Sequence, residues 1–546
     1  MKRRTVVLGI GATAGAAAVG GIALTARADD STTSPSGGTG SSGSLVFDPE
    51  GYTKLTTTVT DTAGDEHAVT YHFWKAITYV AEPVDATYQS LNVSVPVEID
   101  GVAVDARNAP ILLANSVGGY MPSSVADATG IGGGGMTPGG GGAPSGAPTG
   151  GTTGGDTATG SAAPTAPGAN GNTNATGGAL ASNQLLALAA GFVVVEPGAR
   201  GRTLKNSAGE YYGVAPAAIV DLKAAVRYVR ANKGRIPGDT ERIVSAGTSA
   251  GGALSALLGA SGDSPLYDRL LRELGAADAS DAIFATGAWC PITDLEHADG
   301  AYEWNWGDNA TSSGAKVDQT VSKALRGQFA EYQAALKLKG LGGFGALNAR
   351  NYDEYLVRQY LEPSATAYLT ALSDSARATY LAANTFITWK NGRATFSWAD
   401  FLTHVGARKK SVPAFDAFDL SAGENNLFGK GTTLSRHFTA FGAKNDTTGL
   451  TSKRVASDLP ETLRLMNPMT FLTGKANPAR SKHWWIRLGT KDSDTSHTVS
   501  ANLAAAANGL GDEVSHTYYW DEGHGANTDP GDFIAWIARI SGHKAR

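Results

Sequence analysis

Gly247-Thr248-Ser249-Ala250-Gly251 is the most informative stretch of the chain, because it lies between a predicted strand, Arg242 to Ala246, and a predicted helix, Gly252 to Leu258. Glycine on both sides of a serine permits a sharp strand-to-helix turn that exposes the hydroxyl at the end of the strand. A chain with 70 glycines can match GxSxG by accident, so an ordinary glycine-rich turn is the alternative. The residues downstream decide between the two.

Asp492 follows a predicted strand, His483 to Leu488, and His524 follows the last predicted strand, Glu513 to Trp520. The chain order serine, aspartate, histidine is typical of α/β-hydrolases. Imidazole near neutral pH can accept the serine proton and return it to a leaving alcohol, and a carboxylate orients the imidazole. Asp494 is the alternative acid, but Asp492 is closer to the strand end. Ser249, Asp492 and His524 are therefore the candidate catalytic residues.

An oxyanion formed in acyl transfer needs hydrogen-bond donors beside the serine. The backbone N–H of Ala250, the next residue, is one candidate. The loop after the predicted strand Ala109 to Ala114 offers Gly118 and Gly119, where backbone can approach an ester closely.

The rest of the chain alternates strands and helices after three leading antiparallel strands, and runs such as Phe192-Val193-Val194-Val195 indicate strands buried on both faces. This predicts an α/β-hydrolase fold, a mainly parallel sheet flanked by helices. The alternation of strands and helices stops near the middle of the chain, where segments such as Val321 to Lys337 and Tyr352 to Leu372 favour helix. We therefore predict a catalytic domain at 45–292 and 464–546, with a mostly helical lid domain at 293–463.

Two regions lie outside this pattern. Residues 1–28 begin with Lys2-Arg3-Arg4, continue through a mildly apolar stretch and end in Ala26-Arg27-Ala28, which predicts an export signal of the twin-arginine kind and a secreted protein. An uncleaved anchor is the alternative, and 29–44 is predicted to be a flexible leader. Residues 130–178 are rich in Gly, Pro and Thr, and are predicted to be a disordered insertion in one loop.

Composition and charge exclude several classes of partner and cofactor. A net charge of −5 without a sustained basic stretch argues against nucleic acid or an anionic membrane surface as a partner and favours a small or neutral substrate. The single Cys290 excludes an intramolecular disulfide and is interpreted as a buried small hydrophobe. HExxH is absent and no close metal-ligand cluster is evident, so neither a metal nor a cofactor is expected. The sequence does not address the oligomeric state.

These residues resemble a family, the bacterial tannases, which are α/β-hydrolases that split gallate esters. The resemblance covers most of the chain after the predicted signal, including the predicted lid. The matching runs are Asn115 to Tyr120, Gly247 to Gly252, Lys410 to Asp416, Gly423 to Gly429 and Gly489 to Ser496. The export signal and the glycine-rich insertion are departures from the family pattern.

The resemblance implies the same triad and adds three residues that bind the hydroxyls of a galloyl ring, Lys410, Glu424 and Asp494. Lys409 adjoins Lys410, so a shift of one residue would change the ring-binding lysine. We therefore expect a secreted serine esterase that cleaves gallate or related hydroxybenzoate esters. The alternatives are a feruloyl or general carboxylesterase, which has less need of charged groups around the ring, and a noncatalytic binding protein on a hydrolase fold.

Overall fold

The computed structural model describes residues 44–136 and 183–544, all within one compact unit. The predicted export signal at 1–28, the leader up to residue 43 and most of the glycine-rich insertion lie outside the described residues. Within the described ranges, no helix combines the length and the apolar character needed to cross a membrane.

The centre of the molecule is a ten-stranded mixed sheet in which six neighbouring strands are parallel. The spatial order is β1-β2-β3-β6-β5-β7-β8-β9-β10, with β4 paired to β3. The strands are β1 (Thr53–Thr60), β2 (Glu66–Thr78), β3 (Ser90–Ile99), β4 (Val102–Ala103), β5 (Ile111–Ala114), β6 (Val193–Pro197), β7 (Ile243–Thr248), β8 (Ala285–Trp289), β9 (His483–Gly489) and β10 (Glu513–Tyr519).

Burial explains this arrangement. Every residue of β6, β7 and β8 is buried, as expected for parallel strands covered on both faces. Helix α1 (Ala217–Ala231) follows β6, and α2 (Ala250–Ala260) and α3 (Asp268–Glu273) lie between β7 and β8, where α2 packs on both strands. The predicted α/β-hydrolase fold with a mainly parallel sheet is confirmed.

The region predicted to be a lid, 293–463, is mostly helical. Its helices are α4 (Leu295–Trp306), α5 (Gln319–Leu336), α6 (Tyr352–Leu356), α7 (Glu362–Ala371), α8 (Asp374–Ala383), α9 (Trp398–Val405), α10 (Gly423–Leu427), α11 (Ala440–Lys444) and α12 (Leu459–Met466). The helix predicted from Tyr352 to Leu372 is interrupted by a π-helical turn at Val357–Leu361. Two short hairpins add strands that the periodicity did not indicate.

After this region the chain returns to the sheet through α13 (Met469–Leu472), and α14 (His497–Gly509) and α15 (Pro530–Ser541) follow β9 and β10. Helix α14 packs on both of these strands. The loops after β9 and β10 thus lie at the same edge of the sheet as the end of β7, because parallel strands present their carboxyl ends together.

The start predicted for the glycine-rich insertion, Gly130, is too early. Gly135–Met136 pairs with Ser123–Ser124 as a short antiparallel strand pair. The N–H of Gly132 donates to the Glu196 carboxylate at 3.0 Å, which anchors this segment on the sheet. Composition alone did not reveal these contacts, because it carries no information on which residues pair in the folded chain, and Glu196 lies 64 residues from Gly132.

Candidate active site

Ser249 occupies a tight turn between β7 and α2. Its φ of 60° and ψ of −121° lie in a region that non-glycine residues seldom adopt, as in a nucleophile turn. A Cβ at Gly247 would lie 2.2 Å from the carbonyl oxygen of Gly251, and one at Gly251 would lie 2.6 Å from the side-chain oxygen of Asn115. Both glycines of the predicted motif are therefore required by close contacts of the backbone.

The three predicted catalytic side chains lie in a hydrogen-bonded chain. Oγ of Ser249 is 2.8 Å from Nε2 of His524, and Nδ1 of His524 is 2.9 Å from Oδ2 of Asp492. The Asp492 carboxylate is fully buried, and its other oxygen accepts the N–H of Asp494 at 2.9 Å. Asp492, rather than Asp494, thus takes the position beside the imidazole.

The charge of Asp492 governs the protonation of His524. Burial is the largest single influence on the pKa of His524 and lowers it, but the charges and hydrogen bonds of Asp492 and Cys290 together outweigh burial and raise this pKa well above its usual value. The same carboxylate would stabilise the imidazolium that forms when His524 takes a proton.

The predicted oxyanion loop is fastened directly to the serine turn. Nδ2 of Asn115 donates to the carbonyl oxygens of Ala246 and Gly251, at 3.0 and 3.2 Å. Gly119 has a φ of 55°, which glycine adopts readily. Ala250 is the first residue of α2, so its N–H points out of the helix end, where no helical partner exists.

Arg202 holds the same loop and was not identified from the sequence. Its Nε donates to the carbonyl oxygen of Gly119 at 2.9 Å, and its backbone N–H donates to that of Tyr120 at 2.9 Å. Nη1 of Arg202 donates to Asn426 of α10 at 2.7 Å, so one side chain joins the glycine loop to the predicted lid. Only the folded chain brings these segments together, and no local motif marked this arginine.

Glu424 lies on α10, near the same loop. Burial together with the Glu424 charge raises the pKa of Tyr120, the residue after Gly119, which places the carboxylate within electrostatic reach of the loop. Asp494 lies in the loop that carries Asp492, to which its N–H donates. Glu424 is thus placed near the oxyanion loop, and Asp494 beside the catalytic acid.

The two lysines that compete for ring binding have different surroundings. Lys409 is 61% exposed, and its ammonium is 2.8 Å from Oδ2 of Asp494. Lys410 is partly buried, and its Nζ lies 4.3 Å from the centre of the Phe415 ring. The segment is therefore held beside Asp494, and Lys409 rather than Lys410 is the direct partner of that carboxylate.

Cys290 is buried, as predicted, but it is also part of this site. Its Sγ lies 4.0 Å from Nε2 of His524, and its φ is 39°. In the part of the chain that the structure describes, Cys290, Asp492 and His524 form the one group of ligating side chains close enough to hold a metal ion, with their ligand atoms within 4.8 Å of one another. His524 and Asp492 already use these atoms in the hydrogen bonds described above.

The fold and the serine turn define an α/β-hydrolase. The family model BD-FAE matches residues 170–335. A stretch of 68 residues is 43% identical to Esterase LipC of Mycobacterium tuberculosis (strain ATCC 25618 / H37Rv), but it covers 12% of this chain and only 17% of that protein. These two matches agree on an esterase-type hydrolase.

Two solved structures extend the likeness to nearly the whole chain. The tannin acyl hydrolase of Lactobacillus plantarum is 34% identical, with a TM-score of 0.72, over 91% of this chain and 99% of that chain. The tannase of Fusobacterium nucleatum is 33% identical over the same shares, also with a TM-score of 0.72. The chain belongs to the tannase family of carboxylic ester hydrolases.

Proposed function

We propose that this protein is a secreted serine esterase that hydrolyses gallate or related hydroxybenzoate esters through an acyl-enzyme on Ser249. The observation that carries the proposal is the hydrogen-bonded chain from Ser249 through His524 to the buried Asp492. A serine is a weak nucleophile until a positioned base takes its proton, and this arrangement supplies that base.

The reaction follows from these contacts. His524 accepts the proton of Ser249 as Oγ attacks the ester carbonyl, and the N–H groups of Ala250 and Gly119 donate to the oxygen that becomes negative. His524 then returns the proton to the departing alcohol, which leaves an acyl group on the serine. Water activated by the same imidazole releases the acid and restores Ser249.

Charged groups around the site favour a polyhydroxylated ring. Glu424 lies near the oxyanion loop, and Asp494 is hydrogen-bonded to Asp492. Together with a lysine of the 409–410 pair, they form the set that we assign to the ring hydroxyls. Two neighbouring tannase structures are described as complexes with ethyl gallate and with 3,4-dihydroxybenzoate. A pocket that pairs with ring hydroxyls disfavours analogues without them, because its polar groups would then be buried unpaired.

The test compares the hydrolysis of methyl gallate, methyl ferulate and p-nitrophenyl acetate, with Ser249→Ala as the blank. We expect a preference for methyl gallate that is lost in the blank. A preference for either other ester would replace the galloyl assignment with a feruloyl or general esterase. Absence of Ser249-dependent turnover on all three would favour a noncatalytic binding protein.

We infer export from the N-terminal sequence alone. The paired Arg3 and Arg4 followed by a mildly apolar stretch support the twin-arginine route. Replacement of both arginines by lysine should retain the protein inside the cell. Equal amounts of the two forms outside the cytoplasm would contradict this assignment.

A further inference from the structure

The hydroxyl of Tyr302 joins the segment that carries Lys410 to the loop that carries Asp492 and Asp494. It accepts the N–H of Lys410 at 3.1 Å and donates to the carbonyl oxygen of Ser493 at 2.8 Å. Ser493 lies between the two aspartates in sequence. Burial raises the pKa of Tyr302 to about 12, so the hydroxyl keeps the proton that it donates.

Tyr302 itself is held firmly. It lies on α4 and is fully buried, with the Arg408 guanidinium 5.1 Å from its ring centre and the Phe415 ring at its edge, 6.2 Å away. Arg408 also forms a fully buried ion pair with Glu303, the residue that follows Tyr302 on the same helix.

Arg408 also fixes the other side of Lys410. Its Nε donates to the carbonyl oxygen of Lys410 at 2.9 Å. The N–H and the C=O of Lys410 are thus both bonded to buried side chains that contact each other. A segment held at both backbone groups has little freedom to shift relative to the catalytic residues.

We propose that Tyr302 is a specificity-positioning residue, which sets the distance between the lysine that recognises the ring and the loop that carries the catalytic and ring-binding aspartates. The inference rests on the proposed function, because it assigns to Tyr302 a role in galloyl recognition. The Lys409–Asp494 ion pair joins the same two segments, but its lysine is 61% exposed, so the pair contributes little rigidity.

Tyr302→Phe removes only the hydroxyl. It leaves the N–H of Lys410 and the C=O of Ser493 without this partner, while Asp492 keeps its hydrogen bonds to His524 and to the N–H of Asp494. We expect the substitution to weaken recognition of the ring hydroxyls more than it slows the catalytic steps. We expect kcat/KM for methyl gallate to fall about tenfold, the factor that corresponds to ~1.4 kcal/mol, and kcat/KM for methyl benzoate to fall less than about twofold.

Tyr267→Phe is the matched control. Tyr267 is also fully buried, and its hydroxyl donates to the carbonyl oxygen of Leu465 at 2.7 Å, a bond that involves none of the site residues. This variant should keep the ratio of gallate to benzoate turnover. Melting temperatures of both variants show how much stability each hydroxyl contributes.

The ratio of the two kcat/KM values decides the proposal. A lower ratio in Tyr302→Phe, with an unchanged ratio in Tyr267→Phe, supports it. An unchanged ratio, or an equal loss on both esters, would overturn it and leave Tyr302 with a purely structural role. If the unaltered protein itself does not prefer methyl gallate, the proposed function fails, and that result is visible before any variant is compared.

Discussion

Replacement of Asp492 by asparagine should stop the proposed catalysis without a large change of shape. One carboxylate oxygen of Asp492 accepts the N–H of Asp494, so the amide oxygen of the variant keeps that position and its NH₂ group faces Nδ1 of His524. A donor facing Nδ1 favours the tautomer with the proton on Nε2. That tautomer cannot accept the proton of Ser249.

The expected loss of activity in Asp492→Asn follows from the removal of the carboxylate charge. A carboxylate 2.9 Å from Nδ1 interacts with an imidazolium by about 6 kcal/mol at an effective dielectric constant of ~20, which corresponds to roughly four powers of ten in rate. We therefore expect kcat/KM for methyl gallate to fall by about 10⁴. Steady-state kinetics on purified protein, with Ser249→Ala as background, measures this loss.

The dependence on pH gives a second readout. His524 must be neutral to act as a base, and its pKa is raised well above the usual value, so kcat/KM should increase as the pH rises through that raised pKa. Removal of the Asp492 charge lowers the pKa of His524, so the rise of kcat/KM with pH should occur at lower pH.

Asp494→Asn is the matched control, since it changes the same atoms two residues away and keeps the N–H that Asp492 accepts. It should spare the turnover of methyl benzoate. Retention of more than about a tenth of the activity in Asp492→Asn, or a larger loss on methyl benzoate in Asp494→Asn, would show that Asp492 does not orient His524.

Three further changes test other parts of the site. Gly247→Ala should destabilise the fold by about 3 kcal/mol or more in urea unfolding, because its Cβ would lie 2.2 Å from the carbonyl oxygen of Gly251; normal stability would contradict the turn geometry. Arg202→Met should lower kcat about tenfold on both gallate and benzoate esters by releasing the glycine loop, and an effect on KM alone would disprove this role. Lys410→Met should abolish the preference for gallate over benzoate while Lys409→Met retains it, and the reverse result would transfer ring binding to Lys409.

The sequence was sufficient for the fold and for the side chains that meet at the serine turn. Continuous apolar runs predicted the buried strands, and the order of Ser249, Asp492 and His524 along the chain predicted which strand ends carry the reacting groups. Both signals are local, because a strand and the turn after it are encoded in a few consecutive residues.

The residues that position the site through long-range contacts could not be identified from local sequence patterns. Tyr302 and Ser493 are 191 residues apart, and Arg202 contacts a helix more than two hundred residues further on. Neither Tyr302 nor Arg202 lies in a motif, and the roles of these two residues arise from tertiary packing. The sequence also does not distinguish Lys409 from Lys410 as the ring-binding residue. The two lysines are adjacent and chemically identical, and only the folded segment determines where each side chain points.

The most direct test of the central claim is covalent labelling of the serine. We would treat the protein with a fluorophosphonate, which reacts with activated serine hydroxyls, and locate the adduct by peptide mass spectrometry in the presence and absence of gallic acid. We expect a single adduct on Ser249 that forms more slowly with gallic acid and is absent from His524→Ala. An adduct on another serine, or methyl gallate turnover that persists after Ser249 is fully labelled, would contradict it.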